Sequence, residues 1–209
     1  MDLQETRDNL VMAALPYAAQ RGWTEGILLA AAEDIGLPRV EALRAFPFGV
    51  LGAVEHFFDY TDRQMMGLLA EQNVRAMRMP DRVTLAIRLR LEVLSTHRDA
   101  VRRAMSHLAI PGNSVAGAAC TWRTADTIWY AVGETATDFS YYSKRGLLSA
   151  VLGATMLFWI RDESESFAET LAFLDRQIHG IVEIPRWRAR LSEAWGGLSC
   201  RMRAAVRDR

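Results

Sequence analysis

The sequence has few of the residues that secreted or metal-dependent proteins use to stabilise their folds. Its 209 residues include two cysteines, Cys120 and Cys200, whose neighbours form no disulfide or metal-binding motif. Isolated cysteines are typical of a reducing compartment, so we expect free thiols and no metal site. The first residues form no basic or apolar leader segment, and we therefore expect a cytoplasmic protein from a bacterium.

The chain also has no excess of one charge and no long apolar segment. Its 25 basic and 25 acidic residues balance, which excludes a uniformly positive surface of the kind that binds nucleic acid. Half of the residues are hydrophobic, which excludes a disordered chain. The longest apolar run, Leu147 to Ile160, is shorter than the roughly 20 residues that span a bilayer, so we predict a buried helix there.

Strand patterns are nearly absent, and apolar residues recur at spacings of three and four along almost the whole chain. This periodicity predicts an all-α protein of nine or ten helices. We predict a helix-turn-helix-like region over residues 1–46, a helical core over residues 47–183 and a basic amphipathic helix over residues 184–209. Two late helices with rich apolar faces are typical of a dimer interface, although internal packing accounts for them equally well.

Turn residues and caps predict the individual helices. The first three cover residues 3–20, 25–34 and 38–44, with Pro16 as a kink and Gly36 as a stop. A long fourth helix is predicted from Gly49 to Met77. The fifth and sixth, over residues 81–95 and 97–108, are arginine-rich on one side and aliphatic on the other. Ser114 is predicted to cap the seventh, and the ninth is predicted over residues 166–182.

The most specific stretch runs from Tyr130 to Arg145. Gly133 is typical of a helix end, and Thr137 is typical of the cap of the next helix, which would begin near Asp138. Such a helix carries an acid, two phenols and a guanidinium on one face, at Asp138, Tyr141, Tyr142 and Arg145. Because tyrosine and arginine are common anchors of protein interfaces, this face predicts a surface for a protein partner.

This stretch resembles the coenzyme Q (ubiquinone) biosynthesis accessory family. The resemblance is sharpest at Gly133-Glu-Thr-Ala-Thr-Asp-Phe139 and Tyr142-Ser-Lys-Arg145, and it extends more loosely to Gly22-Trp23 and to Leu108-Ala-Ile-Pro-Gly-Asn113. It implies a TetR-regulator-like fold and a homodimer without catalytic activity. It also implies that the protein binds isoprenoid or quinone intermediates at the inner membrane, where it is peripheral, and presents them to a partner hydroxylase.

The resemblance also implies a set of contact residues for that hydroxylase. The matching positions are Asp126, Ile128, Asp138, Tyr141, Tyr142 and Arg145. Two positions depart from the family pattern. Tyr141 stands where eukaryotic relatives are expected to carry tryptophan, and Lys144 stands where a second arginine can occur. The first departure leaves the class of partner open.

Small residues on one side of the predicted eighth helix leave room for an isoprenoid or acyl tail, or for the close approach of another helix. They are Gly146, Ala150, Gly153 and Ala154. The residues alone do not separate these alternatives, and the lipid binding implied by the resemblance favours a lipid tunnel. Its expected apolar lining is Trp129, Met156, Phe158 and Trp159.

The carboxyl-terminal stretch combines basic and apolar residues. Residues 186–209 carry seven arginines and two acids, a net charge of seven minus two, or +5. A basic helix with tryptophans on its apolar side is typical of an anionic membrane surface, and a helix docked on its own core is the alternative. The predicted membrane contacts are Trp187, Arg188, Leu191, Trp195, Leu198 and Met202.

A TetR-like, ligand-responsive transcriptional regulator is the alternative function, because the first helices have a helix-turn-helix outline. Charge argues against it. Residues 24–46 carry two arginines and four acids, a net of two minus four, or −2, which repels phosphates. Enzymatic activity finds no support either, since the sequence has no paired metal-binding histidines, nucleophile elbow or glycine-rich phosphate loop. We therefore expect no cofactor.

Overall fold

The computed structural model describes residues 2–134 and 139–180, and only the backbone of residues 139–141. Over these ranges the chain forms nine α-helices and no β-strand, which confirms the predicted all-α class. The helices are α1 (Leu3–Arg21), α2 (Glu25–Asp34), α3 (Arg39–Ala45), α4 (Gly49–Ala70), α5 (Met79–Ser95), α6 (Arg98–Leu108), α7 (Ser114–Ala131), α8 (Phe139–Trp159) and α9 (168–180).

Local signals account for the turn between α1 and α2. Thr24 caps α2, because its hydroxyl oxygen accepts a hydrogen bond from the backbone N–H of Ile27 at 3.4 Å. The indole of Trp23 is 6% exposed and donates a hydrogen bond to the carbonyl of Ala100 at 3.0 Å. This bond ties the turn to α6. After α2, Gly36 has a φ of +66°, which favours glycine and ends the helix as predicted.

The predicted fourth helix is too long. The observed helix α4 ends at Ala70 and not at Met77, and a short 3₁₀ turn follows at Val74–Ala76. The Arg82 guanidinium donates a hydrogen bond to the carbonyl of Met77 at 2.9 Å and so holds the chain in this turn. Pro80 in the first turn of α5 favours a new helix start, since proline there costs no helical hydrogen bond.

Two helix starts also differ from the predictions. Ser114 is the first residue of α7 and not its cap, a position that Asn113 occupies. The ninth helix, which was predicted to begin at residue 166, begins at residue 168, because Ser166 and Phe167 have φ values of +52° and +58° within a 3₁₀ turn. The proposed cap at Thr137 and the end of the ninth helix at residue 182 lie outside the described residues.

One apolar core extends from α1 to α9, so residues 1–46 share it with the helices that follow. Leu10, Ala14 and Ala18 of α1 are each 0% exposed, so they form the inner face of this helix. The largest side chains that are almost fully buried are Trp159, Phe57, Leu10, Leu15, Met65, Leu69, Ile87, Leu94, Ile128, Leu148, Leu174 and Val11.

Asp162 joins the end of α8 to the beginning of α9, and it is 4% exposed. Its carboxylate accepts hydrogen bonds from the backbone N–H groups of Ser164 and Thr170, both at 2.8 Å, and from both hydroxyls. Burial favours the neutral acid and acts to raise the pKa of Asp162. The hydrogen bonds outweigh burial and lower the pKa to about 2. The carboxylate therefore stabilises the first turn of α9.

Replacement of Asp162 by alanine tests this role. We expect Asp162→Ala to lower the free energy of unfolding by about 1–2 kcal/mol near neutral pH, because the Thr170 amide in the first turn of α9 and the Ser164 amide before it lose their acceptor. The native pKa lies below the unfolded value of about 3.9, so the contribution is present above that value and is lost as the pH falls through the native pKa. Urea denaturation from pH 7 to pH 2 measures both effects.

The matched control is Asp175→Ala, which removes an exposed acid from α9. We expect this control to change the free energy of unfolding by less than about 0.5 kcal/mol. An equal loss in the two variants, or a loss in Asp162→Ala that persists unchanged at the lowest pH, would contradict the assignment.

Candidate functional site

A cavity of about 820 Å³ lies among α4, α5, α6, α7 and α8. This volume is within the range of small-molecule sites, about 300–1,000 Å³. Its floor consists of buried side chains, whereas exposed and half-buried residues of α6, α7 and the end of α8 form its mouth. The floor residues are Phe58, Arg90, Cys120, Thr124, Leu152 and Met156.

Glycines shape two walls of the cavity. A Cβ atom on Gly117 of α7 would lie 3.2 Å from the Cβ atom of Leu108, so glycine allows α6 and α7 to approach closely. A Cβ atom on Gly153 of α8 would meet no atom within 4 Å, because this residue borders the open cavity. The first glycine brings the walls together, and the second leaves the volume between them free.

A buried ion pair crosses the cavity floor. The Arg90 guanidinium donates a hydrogen bond to the Asp62 carboxylate at 2.7 Å, and their side chains are 5% and 8% exposed. The Thr124 hydroxyl donates to the other Asp62 oxygen at 2.7 Å. The guanidinium also contacts the Met156 sulfur at 3.6 Å and lies 5.6 Å from the centre of the Phe58 ring. These contacts join α4, α5, α7 and α8 around the floor.

Cys120 contributes a thiol to the same floor. Burial raises the pKa of this thiol, and the guanidinium of Arg123, 3.2 Å from the sulfur, acts in the opposite direction. The net effect is a raised pKa, so the group is a thiol at neutral pH and a weak nucleophile. It serves as an apolar wall, as expected for an isolated buried cysteine.

Two of the eight predicted lipid-lining residues, Gly153 and Met156, line the cavity. The other six do not line this cavity. Gly146, Ala150 and Ala154 are on the exposed side of α8, while Trp159 is 0% exposed and packs in the core. The remaining two, Phe158 and Trp129, make other contacts. The Phe158 ring stacks on the Phe173 ring of α9, with centroids 5.0 Å apart, and Nζ of Lys144 lies 5.9 Å from the centre of the Trp129 ring.

These residues lie elsewhere because of the way α8 is rotated about its own axis. This helix is apolar nearly all round, so periodicity alone cannot decide which side faces the cavity. The cavity side carries Leu152, Gly153, Met156, Leu157 and Ile160, at spacings of one, three and four residues. Three of the four small residues, Gly146, Ala150 and Ala154, therefore point outward. The homodimer interface was predicted for the apolar faces of the two late helices. That interface stays a prediction.

The predicted partner surface is partly accessible. Tyr142 is 64% exposed, and the Asp126 side chain is 47% exposed. Asp138 lies outside the described residues, and only the backbone of Tyr141 is described, within α8. Lys144 forms an ion pair with Glu134 at 2.7 Å. Acidic, basic and aromatic groups therefore meet where α7 ends and α8 begins.

Two residues of this predicted surface need correction. Ile128 is 0% exposed and belongs to the core, because it lies on the inner side of α7. Arg145 is 5% exposed, and its guanidinium donates a hydrogen bond to Asp126 at 2.5 Å. This buried arginine joins α7 to α8. Both residues lie buried below the predicted partner surface, so their side chains are not exposed for direct contact with a protein partner.

The helix-turn-helix region has an acidic and partly apolar surface. The four acids of residues 24–46, Glu25, Glu33, Asp34 and Glu41, are exposed. Val40 of α3 is 59% exposed, on the helix that would enter the major groove of DNA. Because affinity for DNA depends on cations that neutralise phosphates, this surface does not favour the regulator alternative.

His56 belongs to a structural ion cluster between α1 and α4. Its Nε2 atom lies 2.6 Å from the Asp8 carboxylate, which also accepts two hydrogen bonds from Arg63. Burial lowers the pKa of His56 despite the opposing effect of Asp8. Across residues 2–134 and 139–180, no three metal-ligating side chains come together. No helix within these ranges is long and apolar enough to cross a bilayer.

The predicted membrane contacts lie outside the described residues. They are Trp187, Arg188, Leu191, Trp195, Leu198 and Met202. Membrane association of this stretch stays a prediction from sequence.

Comparisons with known proteins identify related sequences. Residues 115–185 match the family model named COQ9. The chain is 29% identical to the mitochondrial ubiquinone biosynthesis protein COQ9 of Drosophila melanogaster, over 85% of this chain and 56% of that protein. It is 26% identical to the human protein of the same name, over 87% of this chain and 59% of that protein. These matches confirm the resemblance predicted from the sequence.

The chain thus spans less than two thirds of the length of these relatives. Both relatives are mitochondrial proteins of eukaryotes, which does not support the expected bacterial origin. The fold is similar to that of a TetR transcriptional regulator from Nitrosomonas europaea, with a TM-score of 0.67 and 23% identity over 84% of this chain and 97% of that chain. This similarity confirms the TetR-like fold and carries no functional conclusion.

The buried ion pair at the cavity floor can be tested by removing one partner. We expect Asp62→Ala to lower the free energy of unfolding by about 3–5 kcal/mol, because the Arg90 charge stays buried without its partner. Urea denaturation measures this loss. The double variant Asp62→Leu/Arg90→Met removes both charges, and its free energy of unfolding should fall by less than that of the single variant.

Asp59→Ala is the control on the same helix, since Asp59 is exposed and its ion pair with Arg63, at 3.2 Å, lies at the surface. Its expected loss is below about 1 kcal/mol. A single Asp62 variant as stable as this control would show that the floor does not depend on the ion pair.

Proposed function

We propose that the chain acts in ubiquinone biosynthesis as a non-catalytic lipid-binding protein, which holds an isoprenoid or quinone intermediate and presents it to a partner hydroxylase. The observation that carries this proposal is the cavity of about 820 Å³ with its largely apolar walls. The similarity to the COQ9 ubiquinone biosynthesis proteins supports the pathway. The lipid and the hydroxylase are proposals for this chain.

A lipid carrier solves a solubility problem. Each buried CH₂ group gains about 0.8 kcal/mol relative to water, so a long isoprenoid tail stays in a membrane unless a protein offers an apolar site. The cavity offers such a site beside Phe58, Leu152 and Met156. The protein then lowers the free-energy cost of bringing the head of the intermediate to an enzyme.

Apolar residues next to the mouth suit an approach to a membrane or a partner. Ala109 and Ser114 line the cavity, and their neighbours Ile110 and Val115 are 50% and 81% exposed. Leu157 on the opposite side of the mouth is 64% exposed. A tail that enters here would exchange one apolar environment for another without crossing much water.

The proposed hydroxylase surface and the cavity share α8. Tyr142 lies near the beginning of this helix, and Gly153 lines the cavity three turns later. At about 1.5 Å per residue, the two are separated by roughly 17 Å along the helix. A hydroxylase bound at Tyr142 and Asp126 would therefore be close to the cargo. The proposed homodimer and peripheral membrane contact rest on the sequence patterns and the resemblance.

Filling the cavity tests lipid binding. We expect Gly153→Phe to reduce co-purified lipid per chain at least fivefold, because the ring enters the free volume beside Gly153. The measurement is mass spectrometry of lipids extracted from the purified protein, with an unrelated helical protein from the same host as background. Wild-type protein should carry isoprenoid quinones or phospholipids above this background.

Gly67→Phe is the matched control, since Gly67 is an exposed glycine of α4 that lies away from the cavity lining. A Cβ atom on Gly67 would meet no atom within 4 Å, as at Gly153. This variant should keep its lipid. Wild-type protein without lipid above background, or equal lipid in both phenylalanine variants, would contradict binding in this cavity.

The accessible part of the partner surface gives a separate test. We expect Tyr142→Asp to reduce capture of the purified ubiquinone-biosynthesis hydroxylase of the same organism at least tenfold, because an interface aromatic is replaced by a charge. Thermal unfolding should stay within a few degrees of wild type, since Tyr142 is 64% exposed.

Phe48→Asp makes the same kind of change in an aromatic residue that is 81% exposed beside the helix-turn-helix region. It should capture the hydroxylase as well as wild type does. Unchanged capture by Tyr142→Asp would remove this residue from the interface, whatever the lipid experiment shows.

A further inference from the structure

We propose that the cavity selects amphiphiles with an acidic head group, a carboxylate or a phosphate, which arginines at its mouth bind while the tail occupies the interior. The inference rests on the proposed lipid binding and adds the chemistry of the head group. Three arginines line the mouth, Arg98, Arg102 and Arg161, and Glu163 is the one acid in the cavity lining among the residues that the structure describes. The local charge is three minus one, or +2.

Arg98 is the fixed member of this group. Its Nη2 atom donates hydrogen bonds to the carbonyls of Trp159 and Asp162, and its guanidinium lies 5.5 Å from the ring centres of both Trp159 and Phe167. These contacts hold the guanidinium at the cavity. They also leave unused donors: Nε is buried without a hydrogen-bond partner, and Nη1 makes no hydrogen bond to a described residue.

The other two arginines also have little to neutralise them. Arg102 pairs with Asp99, at 2.8 Å, in an exposed contact between residues three apart on α6. Such pairs are worth little in water, so the guanidinium can turn to a ligand. Arg161 is exposed, and its guanidinium forms no hydrogen bond or ion pair with the described part of the chain. The mouth therefore has positive charge that the described residues do not balance.

The cavity floor is different. Its guanidinium, on Arg90, is already neutralised by the Asp62 carboxylate at 2.7 Å. Phe58, Leu152 and Met156 surround this pair with apolar surface. The uncompensated charge is at the mouth and the apolar surface is inside, which orients an amphiphile with its tail inward and its acidic head at the arginines.

A carboxylate or phosphate is the matching head group, because arginine donates two parallel hydrogen bonds to either one. A neutral alcohol of the same chain length can fill the same cavity, but its single hydroxyl oxygen cannot accept two parallel hydrogen bonds from one guanidinium and has no negative charge to pair with it. We therefore expect acids to bind at least tenfold more tightly than the alcohol, which corresponds to about 1.4 kcal/mol.

The experiment measures binding of three C16 probes to the full chain by isothermal titration calorimetry near physiological salt, after removal of co-purified lipid. Palmitate carries a carboxylate, palmitoyl lysophosphatidate carries a phosphate, and hexadecanol carries neither. The variant Arg102→Gln/Arg161→Gln should lose at least tenfold affinity for the acids and keep its affinity for hexadecanol. Both residues are exposed, so this variant should fold normally.

Arg39→Gln/Arg44→Gln is the matched control, because it removes the same charge from exposed positions of α3. It should bind all three probes like wild type. Tighter binding of palmitate alone or of lysophosphatidate alone supports the inference and identifies the head group as a carboxylate or a phosphate.

Equal affinity for acids and alcohol, or equal losses of acid affinity in the two double variants, overturns the head-group inference and leaves lipid binding intact. Failure of all three probes to bind, together with lipid-free wild-type protein, overturns the proposed function as well. The two proposals can therefore fail separately.

Discussion

The buried contact between Asp62 and Arg90 is the constraint on which the cavity depends. A guanidinium in an apolar interior needs a partner charge, and Asp62 supplies it from another helix. Thr124 satisfies the second carboxylate oxygen from a third helix. The three helices must therefore stay in register around this point. Small apolar residues alone would allow α4, α5 and α7 to close the space, whereas the ion pair fixes their separation at the floor.

Helix α8 connects this interior with the surface. Its inner side lines the cavity through Gly153 and Met156, and its beginning carries the exposed Tyr142. Arg145 fastens the same helix to α7 through Asp126. One rigid element thus carries the proposed lipid contacts and the proposed partner contacts. A rigid-body shift of α8 would therefore move both sets of residues together.

Residues that are close together in the sequence predicted most of the helix boundaries, and they predicted less of the cavity lining. Thr24 and Gly36 identify the ends of α2 because caps and positive φ values depend on near neighbours. The turn after α4 is held by Arg82, which donates hydrogen bonds to the carbonyls of Arg75 and Met77, and helical periodicity does not reveal this contact. The cavity side of α8 was also missed, since both sides of that helix are apolar. The arginines of α6 were visible as a basic stripe, but their meeting with Arg161 requires tertiary packing.

The ion pair at the floor also sets a limit of length. An alkyl or isoprenoid chain gains nothing by advancing against the Arg90 guanidinium, so the pair acts as an end stop in a space of about 820 Å³. A chain that fits ends before this stop, with its head at the mouth. Under the proposed function, a longer polyprenyl chain would leave some of its isoprene units outside, against the exposed Leu157 and Val115. The protein would then bind a fixed length of the proposed lipid and leave the rest of the chain in the bilayer.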